Sequence, residues 1–211
     1  MTETNRAGTV AGSSSDDNGA DASEVVQVVL RERQGRDRGW WEQMDATFWP
    51  DSTVRLSWYE GNGAGFVAGS RAMKERGQHT VHHMFAPVAH VRDAKAYVEA
   101  GAEIQAPAVV GGVAGSLNVA TRLNYRLERR EDEWRILSLD AIYESTSLTP
   151  SVPGEQITIP ADELAELRPS YALLAWSIAQ RGQSMADDQL GDDQPQAVAA
   201  FYSELWQWLD S

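Results

Sequence analysis

Histidine is the residue type of this chain best suited to proton transfer, and three of its four histidines lie within residues 79–87. An imidazole titrates where small perturbations switch its charge, so it can act as an acid or a base near neutral pH. The stretch is rich in Val, Thr, Phe and Met and ends near a proline, which is typical of a β-strand. Side chains alternate along a strand, so His82 and His83 point in opposite directions. We predict His82 as the inward histidine, with His83 as the competing assignment and a merely structural, packed histidine as the alternative role.

Asp37, far upstream of this strand, is the carboxylate that favours a functional role for one of its histidines. A first helix is predicted to begin at an N-cap, Ser23, and to end in the segment 35–39, where two glycines flank Asp37. Its apolar positions repeat at helical spacing: Val25, Val28 and Val29. Glu32 and Arg33 are interpreted as the beginning of the exit from this helix. A side chain at the helix end, such as Asp37, can turn toward the interior of the fold.

The middle of the chain alternates between short elements and long strands. An apolar stripe predicts a second short helix ended by Pro50: Trp40, Trp41, Met44 and Phe48. The patterns that follow predict a strand at 53–59, a glycine loop at 61–65, a short strand at 66–68 and a helix to Arg76. After the histidine strand, period-2 alternation predicts three longer strands, at 94–108, 116–129 and 134–145. Strands joined by short turns favour an antiparallel sheet with one apolar face, and helices before strands favour the α+β class.

Three segments divide the chain. Residues 1–22 contain almost no large apolar groups and are predicted to be a disordered tail. Residues 23–150 form the α+β domain, and residues 151–211 form a C-terminal helical extension after a change of character at Pro150. Helices are predicted at 161–167, 171–181 and 194–209. The last of these has a strongly amphipathic stripe: Val198, Phe201, Leu205, Trp206 and Leu209.

Composition excludes several classes of function. The chain has 31 acidic and 18 basic residues, a net charge of −13, which argues against nucleic acid and anionic membrane surfaces as partners. It has no cysteine, so disulfides, thiolate nucleophiles and cysteine-ligated metals are excluded. The spacing and opposite directions of the clustered histidines do not favour a metal site, and we expect none. Without an apolar leader or spanning segment, a cytoplasmic location is expected.

The order of elements and three short motifs resemble the SnoaL-like branch of the nuclear transport factor 2-like superfamily. The segment 37–41 (DRGWW) is similar to the Asp-x-x-x-Trp at the end of that family's first helix. The segment 80–82 (TVH) resembles its catalytic histidine strand, and 133–136 (EWRI) resembles its last hairpin. The match spans residues 25–148, and scytalone dehydratase and bile acid 7α-dehydratase belong to the resembling group. The resemblance implies a cone-shaped, curved antiparallel sheet wrapped around the N-terminal helices, with a deep pocket in its mouth.

The resemblance also implies an activity. It makes Asp37 and His82 the catalytic acid/base pair of a cofactor-independent lyase or isomerase, a dehydratase or cyclase. Positions matching the family's other pocket residues are predicted to bind substrate: Trp58, His83, Val98, Leu123 and Tyr143. Because most of the family's polar groups are replaced there, the pocket is expected to be apolar and its substrate a hydrophobic polyketide-, steroid- or terpenoid-like molecule. The alternative is a non-catalytic module that binds an apolar ligand or a protein.

Two further expectations concern the outer face of the predicted sheet and the packing of the C-terminal helices. The resembling enzymes assemble through the face that here bears five mostly polar side chains: Tyr97, Glu99, Arg122, Asn124 and Arg126. A homo-oligomer, a trimer or dimer, is therefore expected. The apolar stripe of the last helix must also be buried, because large exposed apolar patches are rare in soluble monomers. The C-terminal helices are expected to cap the cone or to extend the subunit interface.

Overall fold

A computed structural model describes residues 15–211 of the chain. The helices are α1 (Ser15–Arg38), α2 (Trp41–Asp45), α3 (Gly63–Glu75), α4 (Ala172–Ala179) and α5 (Pro195–Leu209). The strands are β1 (Phe48–Leu56), β2 (Tyr59–Gly61), β3 (Val81–Met84), β4 (Val88–Arg92), β5 (Lys95–Val110), β6 (Val113–Arg130), β7 (Glu133–Pro150) and β8 (Leu190–Gly191). The predicted α+β class is confirmed.

All the described strands form one curved, unclosed sheet in the order β2-β1-β7-β6-β5-β3, with β4 also on β5 and β8 also on β7. The three long strands β5, β6 and β7 pair antiparallel through short hairpins, as predicted. In contrast, β1 and β8 pair parallel with β7, which the expectation of a wholly antiparallel sheet did not include. Neither strand is joined to β7 by a tight turn, so no hairpin dictates its direction.

The inner face of the sheet follows the predicted alternation. The inward side chains of β5 and β6 are almost fully buried: Ala96, Val98, Ala100, Ala102, Leu117, Val119, Leu123, Tyr125 and Leu127. The sheet wraps around α1, whose Val25 and Val29 are completely buried against it. Burial of this apolar surface is the main stabilising contribution to such a fold. The core therefore lies between the concave face and the N-terminal helix.

The N-terminal elements differ from the prediction at three places. Helix α1 begins at Ser15 rather than at Ser23, and Asp21 anchors it by accepting hydrogen bonds from Arg129 and Trp134. Of the predicted disordered tail, residues 1–14 lie outside the described part and the remainder belongs to α1. Phe48 and Pro50 lie at the start of β1 instead of at the end of a helix. The pairing of β1 with β7 shifts register between Phe48 and Thr53.

The third difference concerns residues 61–68, which were predicted as a loop and a short strand. Gly61 instead ends β2, and residues 63–68 form the start of α3, because Asn62 caps the helix by accepting a hydrogen bond from the backbone N–H of Gly65 at 2.9 Å. Gly63 sits so close to Phe48 that an added Cβ would lie 2.6 Å from its side chain. Phe66 is completely buried on the inner face of this helix.

The two C-terminal helices cover different parts of the domain. Helix α4 packs against β6 and β7, and α5 packs on the outer face of β5. Leu205 and Leu209 of α5 are buried against Tyr97, and Tyr202 bonds both Glu99 and Arg122. Much of the outer face predicted to bind another subunit is thus covered by the chain's own helix. The homo-oligomer remains a prediction, and a partner at this face would have to contact α5.

None of the helices from Ser15 onward is long and apolar enough to cross a membrane.

Candidate active site

Asp37 occupies the last turn of α1, where the chain reverses. Gly39 ends the helix with φ of +78°, a left-handed conformation that glycine adopts without strain. The N–H groups of Gly39 and Trp40 both bond the carbonyl oxygen of Gly35 at 2.8 Å. This C-terminal cap fixes the direction in which the Asp37 side chain leaves the helix.

His82 lies on β3 opposite Ile104 of β5, and its side chain is only 4 % exposed. Its Nδ1 is 2.7 Å from Oδ1 of Asp37, and its backbone N–H donates to Oδ2 of the same carboxylate at 2.8 Å. Both oxygens of Asp37 are therefore engaged by one residue. His83 points the other way and is exposed, so the structure favours His82 as the inward histidine.

Arg33 contacts the other nitrogen of the same imidazole. Its Nη1 is 3.2 Å from Nε2 of His82. A guanidinium has only donors, so Nε2 must be the accepting nitrogen, and the proton of a neutral His82 resides on Nδ1, where it faces Asp37. Arg33 is held from behind by Glu32, whose Oε2 accepts from Nε at 3.0 Å and from Nη2 at 2.7 Å. Tyr125 donates to the same oxygen at 3.2 Å.

Burial is the largest influence on the charge of His82. Loss of solvent, followed by the positive charge of Arg33, lowers the pKa of His82 from 6.5 to about 3, although Asp37 acts in the opposite direction. Burial opposes ionisation of Asp37, but its hydrogen bonds with His82 outweigh this and lower the pKa of its carboxyl group. At neutral pH the pair is thus a carboxylate and a neutral imidazole.

A cavity of about 270 Å³ lies between the inner face of the sheet, α1 and α4. His82 is on its wall together with apolar side chains from several elements: Leu56, Met73, Ile104, Leu117, Val119, Leu123, Leu174 and Ile178. Asp37 is not on this wall and is connected to the cavity through its contact with His82. The charged side chains of the wall are all arginines, Arg33, Arg36 and Arg181, with no carboxylate among the described residues that line it.

Arg36 is the second arginine of α1 at this wall and is only 9 % exposed. Its Nη1 donates to Oγ1 of Thr80 at 2.9 Å, and its guanidinium carbon lies 5.7 Å from the ring centre of Trp58. Its Nε is buried and has no hydrogen-bond partner within residues 15–211. Burial, and then the charge of Arg33, lower the pKa of Arg36 from 12.5 to about 10, which leaves it cationic at neutral pH.

The predicted substrate-binding residues divide into two groups. Trp58, Leu123 and Tyr143 line the cavity. Val98 is inside the core but beyond the cavity, because the cavity meets β5 further along, at Ile104 and the residues after it. His83 is exposed on the opposite face of β3. Neither Val98 nor His83 can therefore contact a molecule in this cavity, and both predictions are corrected.

Sequence reasoning missed the arginines and the glutamate of α1. The interpretation of Glu32 and Arg33 as the beginning of the exit from the helix did not place them in the core. Their exposed fractions are 0 % and 3 %. A signal was available: Val25, Val29, Glu32 or Arg33, and Arg36 recur every three or four positions, so the charged residues continue the buried stripe. The expectation of an unusually apolar pocket was consequently wrong on this side of the wall.

The position of His82 on the cavity wall suits proton transfer. Within the described part of the chain, no group of three or more His, Asp or Glu residues is placed to hold a metal ion. His82 can accept a proton at Nε2 once Arg33 moves aside, while Asp37 stabilises the resulting imidazolium. Tyr143 accepts a hydrogen bond from the backbone N–H of Ser57 at 2.9 Å, so its own hydroxyl proton remains available to a bound molecule.

Solved structures share this fold at low sequence identity. A hexachlorocyclohexane dehydrochlorinase of type 2 (LinA) is 16 % identical with a TM-score of 0.54, covering 69 % of this chain and 99 % of its own. A type 3 dehydrochlorinase from Novosphingobium barchaimii LL02 is 17 % identical with a TM-score of 0.52, covering 69 % and 100 %. A putative scytalone dehydratase from Novosphingobium aromaticivorans DSM 12444 is 14 % identical with a TM-score of 0.50, covering 69 % and 97 %.

No curated protein matches the chain significantly. Residues 19–140, more than half of the chain, match the family profile of the SnoaL-like domain. This range contains most of α1 with Asp37, the histidine strand β3 and the long strands β5 and β6, which supply part of the cavity wall. The family expected from the motifs is thereby confirmed: the chain belongs to the SnoaL-like domain family.

Proposed function

We propose that this protein is a cofactor-independent lyase or isomerase that removes a proton from carbon in a small, largely hydrophobic substrate. The observation that carries the proposal is the Asp37–His82 pair at 2.7 Å, with the imidazole facing a cavity. The family match is consistent with this class of reaction. The solved dehydratase and dehydrochlorinase structures share the fold.

His82 is the proposed base. The low pKa keeps the imidazole unprotonated in the resting protein, and ionised Asp37 stabilises the positive charge that develops on it during transfer. Asp37 also keeps the hydrogen on Nδ1, so that the lone pair of Nε2 is on the cavity side. Asp37 is a positioning residue here rather than the base, because His82 occupies both of its oxygens and it does not line the cavity.

Tyr143 is the proposed proton donor to the substrate. Burial raises the pKa of its phenol, so the hydroxyl keeps its proton over the physiological range. The Ser57 N–H supports the phenol oxygen and orients its hydrogen for donation. A hydroxyl so placed can bond a carbonyl oxygen whose charge grows as the neighbouring carbon loses its proton, or a departing oxygen.

A binding module is the second candidate, and one contact favours it. Arg33 already occupies the acceptor lone pair of His82, which a base must expose. If Arg33 stays in place when a ligand enters, the site can bind but not abstract a proton. A homo-oligomeric state and a cytoplasmic location are also part of the proposal.

The proposed function can be tested by deuterium exchange. Hydrophobic cyclic ketones and β-hydroxy ketones, incubated with the protein in D2O, should gain deuterium beside the carbonyl or lose water, as followed by mass spectrometry. His82→Gln should reduce the rate by roughly 10²–10⁴-fold, the usual contribution of general base catalysis. His83→Gln, on the exposed face of the same strand, is the matched control and should leave the rate unchanged.

Molecules that co-purify with the protein should be identified by mass spectrometry in the same preparation. A hydroxylated or carbonyl-bearing polycyclic compound supports the lyase or isomerase, and it is then the first substrate to assay. A bound molecule without an acidic C–H group, combined with equal exchange rates in wild type and His82→Gln, would leave the binding module as the function.

A further inference from the structure

The cavity wall has a charge opposite to that of the whole protein. The chain has a net charge of −13, yet the charged side chains on the described wall are three arginines. An apolar substrate alone gives no reason to keep such groups inside, because burying a cation costs free energy unless a partner compensates for it. The arrangement of each arginine shows which of them lacks that partner.

Arg33 is compensated within the protein. Glu32, completely buried, binds it through two hydrogen bonds to one oxygen and, despite burial, raises the pKa of its guanidinium. Arg181 lies at the exposed mouth of the cavity and bonds its own helix through the carbonyl oxygen of Ser177. These two arginines therefore do not require an external anion.

Arg36 is compensated less well, because burial and the charge of Arg33 outweigh the favourable influence of Asp37 and Glu32. Among residues 15–211 no carboxylate lies within ion-pair distance of it, and its contacts are a neutral hydroxyl, that of Thr80, and the face of Trp58. A guanidinium buried to this extent with an unpaired Nε is expected to have a partner, because isolated buried charges are paired in folded proteins. The free face of the group borders the cavity, where a ligand would supply the missing charge.

We propose that Arg36, supported by Thr80 and Trp58, forms an anion subsite that binds a carboxylate-sized anionic group of the substrate. The inference rests on the proposed function in that the anion belongs to the molecule His82 deprotonates. A planar carboxylate matches the donors of a guanidinium. Trp58 holds the guanidinium plane, so little conformational freedom is lost when the anion binds. The substrate is thus an amphipathic acid, with its apolar part against the leucine and isoleucine side chains of the wall.

The subsite also explains the contact between Arg33 and His82. Arg33 and Arg36 are three residues apart on one face of α1, so an anion at Arg36 attracts Arg33 as well. A shift of Nη1 from Nε2 of His82 toward the anion would expose the lone pair that the base needs. Substrate binding would then activate the base, and the resting protein would hold it blocked.

The test compares a carboxylate with its neutral amide of the same shape. Isothermal titration calorimetry should show that wild type binds 2-naphthoate roughly 10–100-fold more tightly than 2-naphthamide, the usual worth of charged hydrogen bonds. Arg36→Gln should abolish this preference and leave the affinity for the amide unchanged. Arg71→Gln, which removes an exposed arginine stacked near Trp41, is the charge-matched control and should retain the preference.

Two outcomes overturn the subsite: a wild type without preference for the carboxylate, and an Arg36→Gln variant that keeps it. If Arg36→Gln does not fold, Arg36→Lys takes its place and should retain a reduced preference, since the charge remains while the fork geometry is lost. A structural role for Arg36 would weaken both probes equally. If the preference is absent while deuterium exchange still depends on His82, the subsite is wrong and the proposed function stands.

Discussion

Arg33 donates to Nε2 of His82 across 3.2 Å, on the side of the imidazole away from Asp37. His82 is thus held between a carboxylate and a guanidinium, which fixes both its tautomer and its charge. The guanidinium itself is tied to Glu32 and, through that residue, to Tyr125 of the sheet. An imidazole held in this way is neutral and oriented, and its Nε2 lone pair becomes available only when Arg33 is displaced.

The Asp37–His82 pair should act as a unit in catalysis. Asp37→Asn replaces one acceptor oxygen by a donor, which disfavours the Nδ1–H tautomer, and we expect a rate loss of about 10²–10⁴-fold in deuterium exchange. The double variant with His82→Gln should lose little more than either single one, because residues that act together are not additive. Losses that multiply would indicate two independent roles.

The buried pair of Glu32 and Arg33 should show strong coupling in stability. Arg33→Met leaves the fully buried Glu32 without its cation, and we expect a cost of about 3–5 kcal/mol in urea-induced unfolding. The double variant Glu32→Gln/Arg33→Met removes both charges and should recover most of that loss. If the double variant is as unstable as the single one, the charge pair is not the source of the effect.

The free energy of unfolding should decrease as the pH is lowered through the range between the unfolded and folded pKa values of His82. Its pKa is about 3 in the folded protein, against 6.5 for a solvated histidine side chain, so below pH 6.5 the unfolded chain binds a proton that the folded protein does not. The free energy of unfolding should therefore decrease as pH drops from about 6.5 toward 3, by up to about 1.4 kcal/mol per pH unit.

Urea unfolding of wild type and His82→Gln at intervals between pH 7 and pH 4 measures this slope. The variant should show a clearly smaller dependence on pH. His90 contributes in the same direction, because burial and Arg92 lower its pKa, so His90→Gln is the matched control. Equal slopes in wild type and His82→Gln would contradict the assignment.

Helix α5 should be an integral part of the domain. Leu205 is completely buried against the outer face of β5, and Leu205→Ala is expected to destabilise the protein by about 2–5 kcal/mol. Gln207→Ala, at an exposed position of the same helix, should change stability by less than about 0.5 kcal/mol. Deletion of residues 151–211 should lower both stability and solubility. Equal stability of the two point variants would show that α5 is a detached appendage.

The long strands could be predicted because their signal is local. In β5 and β6 the alternation of apolar and polar residues extends over most of each strand, and the inward positions of their central parts are buried. Asp37 and His82 were predicted from short motifs, and the geometry places them in contact. The parallel pairing of β1 with β7 was not predictable, because it depends on a contact between segments far apart in the chain.

The electrostatics of the site could not be predicted for the same reason. Whether Arg33 leaves for solvent or enters the core depends on Tyr125 and His82, which belong to other elements. Likewise, the side chain of Val98 points inward as predicted. The cavity, however, meets β5 at Ile104 and the residues after it, so Val98 lies outside the cavity. Side-chain direction is a local property of a strand, whereas the position of a cavity along it is a property of the assembled fold.

The charge state of His82 is the most direct test of its role as the base. Long-range 1H–15N correlation spectra of 15N-labelled protein, with His82→Gln used for assignment, report the tautomer and the titration of each imidazole. We predict that His82 stays neutral with its proton on Nδ1 from about pH 8 down to at least about pH 5. A His82 that becomes protonated at about pH 6.5 or above, or that has its proton on Nε2, would contradict the proposed base.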